Sequence, residues 1–400
     1  MQDLKDQIRS LAQQYAQDTI ATRQHLHQHP ELSFQEHETS AYVFAKLQEF
    51  GLEPRRMTDT GIVVLIKGQS PDKATTALRA DLDALPILEQ NEVAYKSKHE
   101  GVMHACGHDV HTSSLLTTAR ILSGLRDQFE GTVKLIFQPG EEKFPGGASL
   151  MIKEGVLQNP APQSILGQHV FTPLEVGKVG FRSGMYMASA DEIYITVKGK
   201  GGHGGLPEQL VDPVLISAHL IVALQQIVSR RANPKTPSVL SFGKVIANGA
   251  TNVIPSEVKI EGTFRTMDEA WRAEAKQHMK KLAEGLVESM GGTCDINIMD
   301  GYPFLKNEPQ LTARAKAAAQ AYLGEENVID LDMYMTAEDF AYYSQTTDAC
   351  FYRLGTRNEA QGITSPVHTP TFNIDESALE IGSGLMAYLA IQELKALASK

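Results

Sequence analysis

The chain has 400 residues, 42% of them apolar and 21% charged, and carries a formal net charge of −11. That length exceeds one ordinary hydrophobic core and predicts about two domains. The negative balance argues against nucleic acid and anionic membrane as partners, and three scattered cysteines, Cys106, Cys294 and Cys350, argue against a disulfide framework.

The opening MQDLKDQIRS is polar, without the apolar stretch of a secretory signal. No apolar run approaches the roughly 18 residues of a membrane span. A cytoplasmic location is therefore expected. Residues 4–50 are helical in pattern, interrupted at His29-Pro30 and closed by Gly51. Strand-like runs follow at 62–67, 75–80, 132–138 and 164–170, alternating with helices over 112–125 and 148–154. That alternation predicts an α/β layer with a largely parallel sheet.

The texture changes after Gly184. A strand over 191–200 meets a glycine cluster at 199–205, then come a helix over 213–230 and strands over 238–247 and 257–265. A helix over 268–290 and a strand over 294–299 complete a β-α-β-β-α-β order, which is a ferredoxin-like unit. From Tyr302 the α/β texture returns, with helices over 308–323 and 376–398. The simplest layout is a smaller domain, residues 185–299, inserted into a larger discontinuous one made of 1–184 and 300–400.

Residues 103–111, Met-His-Ala-Cys-Gly-His-Asp-Val-His, pack a thiol and three imidazoles into nine residues. Cys106 and His108 straddle Gly107, so both side chains can address one point while the backbone turns. A thiolate beside neutral imidazoles is metal-ligand chemistry. Asp109 has helix N-capping as its ordinary role, and His104 and His111 read as supporting or surface residues. Glu141 and Glu142 follow the Pro139-Gly140 break, which ends an apolar strand. In a regular strand they would point to opposite faces, whereas beyond the break both can serve one site at a strand's carboxyl end. One carboxylate could bind metal while the other takes a proton from water. His169 ends another apolar run and His368 lies in a proline-bounded loop, each an ordinary histidine taken alone. Asp81 and Asp83 share a face at a strand end, suited to metal or to orienting imidazoles. In the inserted domain His203 sits among glycines, Asn252 precedes Val-Ile-Pro, and Arg265 ends a strand where it could clamp a carboxylate.

Together these segments resemble the dinuclear-metal amidohydrolases that include aminoacylases, hippurate hydrolases and indoleacetyl-amino-acid hydrolases. The likeness runs through His29-Pro-Glu-Leu-Ser33, Leu78 to Pro86, Met103 to His111, Phe137 to Glu142, Gly146-Gly-Ala148, Gly199 to His203, Thr251 to Pro255, Gly262 to Thr266, Ala337 to Phe340 and Val367 to Pro370. It implies a metal-binding α/β catalytic domain with an inserted ferredoxin-like α+β lid and dimerisation domain. It implies Cys106, His108, Glu142, His169 and His368 as ligands of two divalent ions, zinc or manganese, with cobalt or nickel as further options. It implies Glu141 as general base, His203 as oxyanion donor, reaching across a homodimer, and Asn252 and Arg265 as holders of the substrate carboxylate. Related peptidases bridge their metals with an aspartate where this chain has Cys106. The implied reaction is hydrolysis of N-acyl amino acids, with dipeptidase or diaminopimelate-deacylase activity as alternatives. Gly140, Gly204-Gly205 and Glu208 depart from the family's usual residues. A thiol hydrolase using Cys106 as nucleophile would leave Glu142, His169 and His368 without a purpose. A non-catalytic metal protein would have no use for Glu141.

Overall fold

Three runs of β-branched and aliphatic residues, Gly61–Lys67, Thr75–Asp81 and Thr132–Gln138, are strands buried along nearly their whole length. Burial on both faces is what continuous apolar runs produce in a covered sheet. They belong to the first of two units in the computed structural model, which describes residues 3–399. That unit comprises Met1–Gly184, Lys306–Asp332 and Asp339–Lys400.

Its sheet has eight strands in the order Arg55–Met57, Gly61–Lys67, Thr132–Gln138, Thr75–Asp81, Ser164–Glu175, Asp348–Arg357, Val179–Phe181, Val328–Asp330. The four central strands, Thr132–Gln138 to Asp348–Arg357, run parallel. The sheet is parallel at its centre and mixed as a whole, because Gly61–Lys67 and Val179–Phe181 pair antiparallel on either side of that centre. Only a three-residue turn links Arg55–Met57 to Gly61–Lys67, too short for a parallel crossover. The Asp348–Arg357 strand is absent from the sequence reading. Its interior Arg353 and Gly355 interrupt the apolar pattern, yet all but its two end residues are buried.

The helices Leu4–Gln28, His108–Gly124, Pro309–Leu323 and Ser377–Ala398 supply one side of the core. Ile8, Leu115, Leu311 and Leu385 pack there with Ile62, Val64, Leu78 and Leu135 of the sheet. His29-Pro30 ends the first helix as expected, and the second spans His37–Glu49. Asp81 and Gln138 lie at the carboxyl ends of their parallel strands, the edge where open α/β sheets build sites.

The second unit, Met185–Leu305 with Met333–Glu338, is a four-stranded antiparallel sheet in the order Ser238–Ile246, Glu257–Thr266, Asp191–Lys198, Thr293–Asp300. With the helices Pro213–Leu224 and Glu269–Ser289 this is the ferredoxin-like arrangement. Strict alternation along Asp191–Lys198 sends Ile193, Ile195 and Val197 into a core with Leu220, Met279 and Val287. Asp212 and Asp268 cap the two helices through backbone N–H groups of the first turn. The unit extends past 299 and takes in 333–338 because the Ala190 N–H donates to Tyr302 O, and the Ala188 N–H to Tyr334 O and Thr336 O. Asp191 is fully buried and receives Nε and Nη2 of Arg272 at 2.7 and 2.6 Å. Pro213–Arg231 is long and apolar enough by length and composition alone to cross a membrane, but it joins the helix Pro213–Leu224 to a turn bearing Arg230 and Arg231, and its Ile216, Leu220, Leu224 and Ile227 pack into the core of this unit, so it is no clear span.

Candidate active site

Gly107 fixes the turn between the thiol and the first imidazole. Its φ is +86°, and a Cβ there would stand 2.6 Å from Val170 Cγ2. Glycine is thus required both for the left-handed conformation and for the space. The helix His108–Gly124 starts immediately afterwards and carries His108 and His111 inward.

Cys106 Sγ lies 3.3 Å from His368 Nε2 and 3.5 Å from His169 Nε2, and His368 Nε2 lies 3.2 Å from Glu142 Oε1. Donor atoms of Cys106, His108 and His169 all lie within 4.8 Å of one another, as do those of Cys106, Glu142 and His368, and those of His108, Glu141 and Glu142. Cys106, His108 and Glu142 each belong to two of these triads, so the three groups overlap in one cluster. The five expected ligands and the expected base are therefore gathered in one place. His368 reaches it with φ at +63°, held by its N–H donating to Ala105 O at 2.8 Å. A non-glycine residue kept in that region marks a constrained position.

The donor set fits a metal on its own chemistry. His108 Nε2 is buried and has no hydrogen-bond partner among the described residues. Burial and the Glu142 carboxylate push the Cys106 thiol upward, so a thiolate there calls for a cation. Burial, with His111 and Arg353 nearby, holds His169 well below the ordinary histidine range, leaving a neutral imidazole ready to donate its lone pair. Thiolate, imidazole and carboxylate together suit zinc and also accept other first-row divalent ions.

The surrounding hydrogen bonds aim these donors. Asp83 Oδ1 is 3.1 Å from His108 Nδ1, while Asp83 Oδ2 accepts the Ser33 hydroxyl at 2.6 Å and the Glu142 N–H at 2.9 Å. His169 Nδ1 donates to Val170 O at 2.7 Å, which turns Nε2 toward Cys106. His111 Nε2 accepts the Val170 N–H at 2.9 Å, so its Nδ1 carries the proton given to Asp81 at 2.6 Å. Asp81 and Asp83 thus orient imidazoles, one of the two roles the sequence left open. Arg79 ties the arrangement to the sheet, with Nη1 to Asp81 at 2.5 Å, Nη2 to Asp339 at 2.7 Å and Nε to Gln138 at 2.9 Å.

Glu141 is 6% exposed, and its Oε1 accepts the Asp339 N–H at 3.3 Å. Gly140, at φ +57°, turns the chain so that both glutamates face one site, as the Pro-Gly break predicts. Asp109 corrects the sequence reading. It is not a helix cap but a buried carboxylate held by Arg23 Nε at 2.8 Å and His27 Nδ1 at 2.8 Å. Against the upward pull of burial, Arg23 and His27 keep it well below the usual carboxylate range. His104 is buried too, pushed down to about 4 by that burial, and stands in none of the donor triads. Glu36 was missed by sequence reading, since nothing local marks a residue whose partner lies 104 positions away, and Asp339 was singled out only as part of Ala337 to Phe340, with no role given.

The remaining candidates belong to the second unit. His203 pairs with Val253 in a two-stranded ladder, and the Gly204 N–H donates to Asn252 O at 2.8 Å, so His203 and Asn252 lie side by side. His203 Nδ1 accepts the Gly205 N–H at 3.0 Å, which leaves Nε2 of this exposed side chain as the donor. Arg265 lies on the other sheet of that unit, opposite Val239, half-buried and without an ion pair among the described residues. A Cβ at Gly204 would make ordinary contact with Asn252, whereas one at Gly205 would press on His203 at 3.2 Å. Glu208 is exposed in the turn Pro207–Gln209.

An α/β layer that gathers a thiol, three imidazoles and two carboxylates from a helix start, a strand and two loops fits a metal-dependent hydrolase. The chain belongs to peptidase family M20/M25/M40, whose model matches residues 77–392. It is 45% identical over 299 residues to an N-acyl-L-amino acid amidohydrolase of Geobacillus stearothermophilus, covering 74% of this chain and 80% of that one. It is 36% identical over 394 residues to thermostable carboxypeptidase 2 of Saccharolobus solfataricus, covering 98% and 99%. Among solved structures, the Bacillus subtilis YXEP protein, a dinuclear metal binding peptidase from the M20 family, superposes with a TM-score of 0.82 at 35% identity, covering 96% and 99%.

Proposed function

We propose that this protein hydrolyses the amide bond of N-acyl amino acids, releasing a carboxylic acid and a free amino acid, with two divalent ions held by Cys106, His108, Glu142, His169 and His368. The observation that carries the reading is Glu141, a buried carboxylate in the same 4.8 Å cluster as His108 and Glu142 that the ligand set does not need. Bound there, the ions would supply Lewis acidity toward the amide carbonyl and acidify water. Glu141 takes the proton from the attacking water and returns it to the leaving nitrogen, so that one carboxylate serves as base and then acid. His203 Nε2–H donates to the developing oxyanion, a contact of about 3 kcal/mol in such sites. Asn252 and Arg265 bind the carboxylate of the amino-acid part. Zinc or manganese is the metal, and the cytoplasm the location.

The second unit supports a homodimer. Val222 and Leu215 of the Pro213–Leu224 helix are 74% and 54% exposed, and the edge strand Ser238–Ile246 presents Val239 and Val245 outward. An apolar helix face beside an open strand edge is what self-association covers. Sedimentation equilibrium is expected to give twice the 43.8 kDa chain mass; a monomer at micromolar concentration would contradict it.

The N-acyl amino acid reading is tested by amino-acid release from N-acetyl, N-benzoyl, long-chain acyl and indoleacetyl amino acids beside a set of dipeptides. Faster release from the acyl compounds is the expected result. Preferential cleavage of dipeptides would favour a peptidase, in keeping with the carboxypeptidase relative.

A further inference from the structure

Glu36 is fully buried, yet it is neither one of the donors nor the base. Its Oε1 accepts the N–H of Gly140 at 2.8 Å and of Phe34 at 2.9 Å, and its Oε2 accepts the Thr60 hydroxyl at 2.8 Å. Gly140 is the residue before Glu141, so this carboxylate grips the start of the turn that carries both glutamates.

The contacts around it point the same way. Phe34 has φ at +66°, and its ring lies so close to Gly140 that a Cβ there would meet Cε1 at 2.3 Å. One residue earlier, Ser33 donates to Asp83, which in turn holds His108 and the Glu142 N–H. The Ala84 N–H donates to Glu31 O at 2.8 Å, joining the same segment to the strand end that carries Asp81 and Asp83. Residues 31–36 therefore clasp the glutamate turn from one side and the histidine-orienting aspartates from the other. A loop bearing two functional carboxylates needs such support, because a displacement of about 1 Å can cost 10²-fold in rate.

We propose that Glu36 is a positioning residue, fixing the Gly140–Glu142 turn so that Glu141 and Glu142 meet the imidazole and thiol donors in register. The proposal rests on the reading of Glu141 as base and Glu142 as ligand. Burial, with Asp83 nearby, pushes the Glu36 carboxyl up to about 7, and either protonation state makes the same contacts. In both, Oε1 accepts the two backbone N–H groups, while Oε2 accepts from Thr60 or donates to it. Glutamine reproduces the neutral arrangement, with Oε1 accepting and Nε2 donating to the Thr60 oxygen. Alanine and methionine offer no acceptor and leave the Gly140 and Phe34 N–H groups buried without one.

The test uses the full chain reconstituted with cobalt(II) and compares Glu36→Ala, Glu36→Met and Glu36→Gln. Cobalt absorption reads the geometry of the ligand set without any turnover, and kcat and KM on an N-acetyl amino acid read the chemistry. The alanine and methionine variants are expected to bind cobalt with an altered thiolate-to-metal and d–d spectrum. Their kcat should fall about 10- to 100-fold with KM within about threefold of wild type. Glu36→Gln should return both the spectrum and most of kcat. If the alanine variant fails to fold, Glu36→Met, which fills the space without an acceptor, decides the point. A wild-type spectrum and kcat in the folded methionine variant, or a glutamine variant as impaired as methionine, would overturn the proposal. Glu141→Gln run alongside separates the two readings. Unimpaired turnover there removes Glu141 as base, whereas the cobalt spectra still decide whether Glu36 sets the turn.

Discussion

Replacing Glu141 by glutamine is expected to lower kcat by about 10³-fold or more, the upper range for a positioned acid–base group, while the metal content stays at the wild-type value. The two readouts separate because Glu141 is not counted among the five donors. Its neighbour Glu142 lies 3.2 Å from His368 and shares a triad with Cys106, whereas Glu141 is held by the Asp339 N–H and shares no triad with Cys106. A glutamine there keeps the hydrogen bond from Asp339 and the volume of the side chain. It cannot accept the proton of the attacking water or pass one to the leaving nitrogen. The loss should therefore appear in kcat with little change in KM, the signature of a contact used in the transition state. Metal content is read by elemental analysis of the purified variant. Turnover within about tenfold of wild type would remove Glu141 from the proton path.

Cys106 carries the second large effect. Cys106→Ala removes a donor that belongs to two of the triads, so under the proposed two-ion site the ligand set of both ions would be weakened. Metal affinity is expected to fall by more than about 100-fold, beyond the effect of removing an outer-shell partner, and hydrolysis should fall with it. Cys106→Asp is the informative companion. A carboxylate can bridge two cations, so this variant is expected to recover metal binding and part of the activity. A nucleophilic thiol would not be replaced in that way, and an inactive but fully metallated aspartate variant would favour the thiol mechanism. Titration of chelated protein, followed by calorimetry and hydrolysis assay, gives both numbers on one sample.

Much of this site was legible because its residues announce themselves locally. Cys106-Gly-His108 needs a positive-φ glycine, and Glu141-Glu142 needs the Pro-Gly break; both requirements are written within a few residues of the donors. His169 and His368 were ordinary histidines until the family resemblance placed them, and the structure brings both to Cys106 through long-range pairing. The ferredoxin-like unit was readable for a similar reason, since period-two strands and amphipathic helices alternate in an order few folds share. The groups that hold the site were not readable. Glu36 looks like a surface glutamate just before a helix, and Asp109 like a helix cap, until their buried partners are seen. The Asp348–Arg357 strand was hidden because its pattern is broken by an arginine and a glycine that only burial between neighbouring strands explains.

Chelation followed by metal restoration, with N-acyl amino acid hydrolysis as the readout, tests the central claim most directly. The apo protein is expected to be inactive and to regain turnover as zinc, manganese or cobalt is added, saturating at two ions per chain. Full hydrolytic activity in the chelated, metal-free protein would contradict the account.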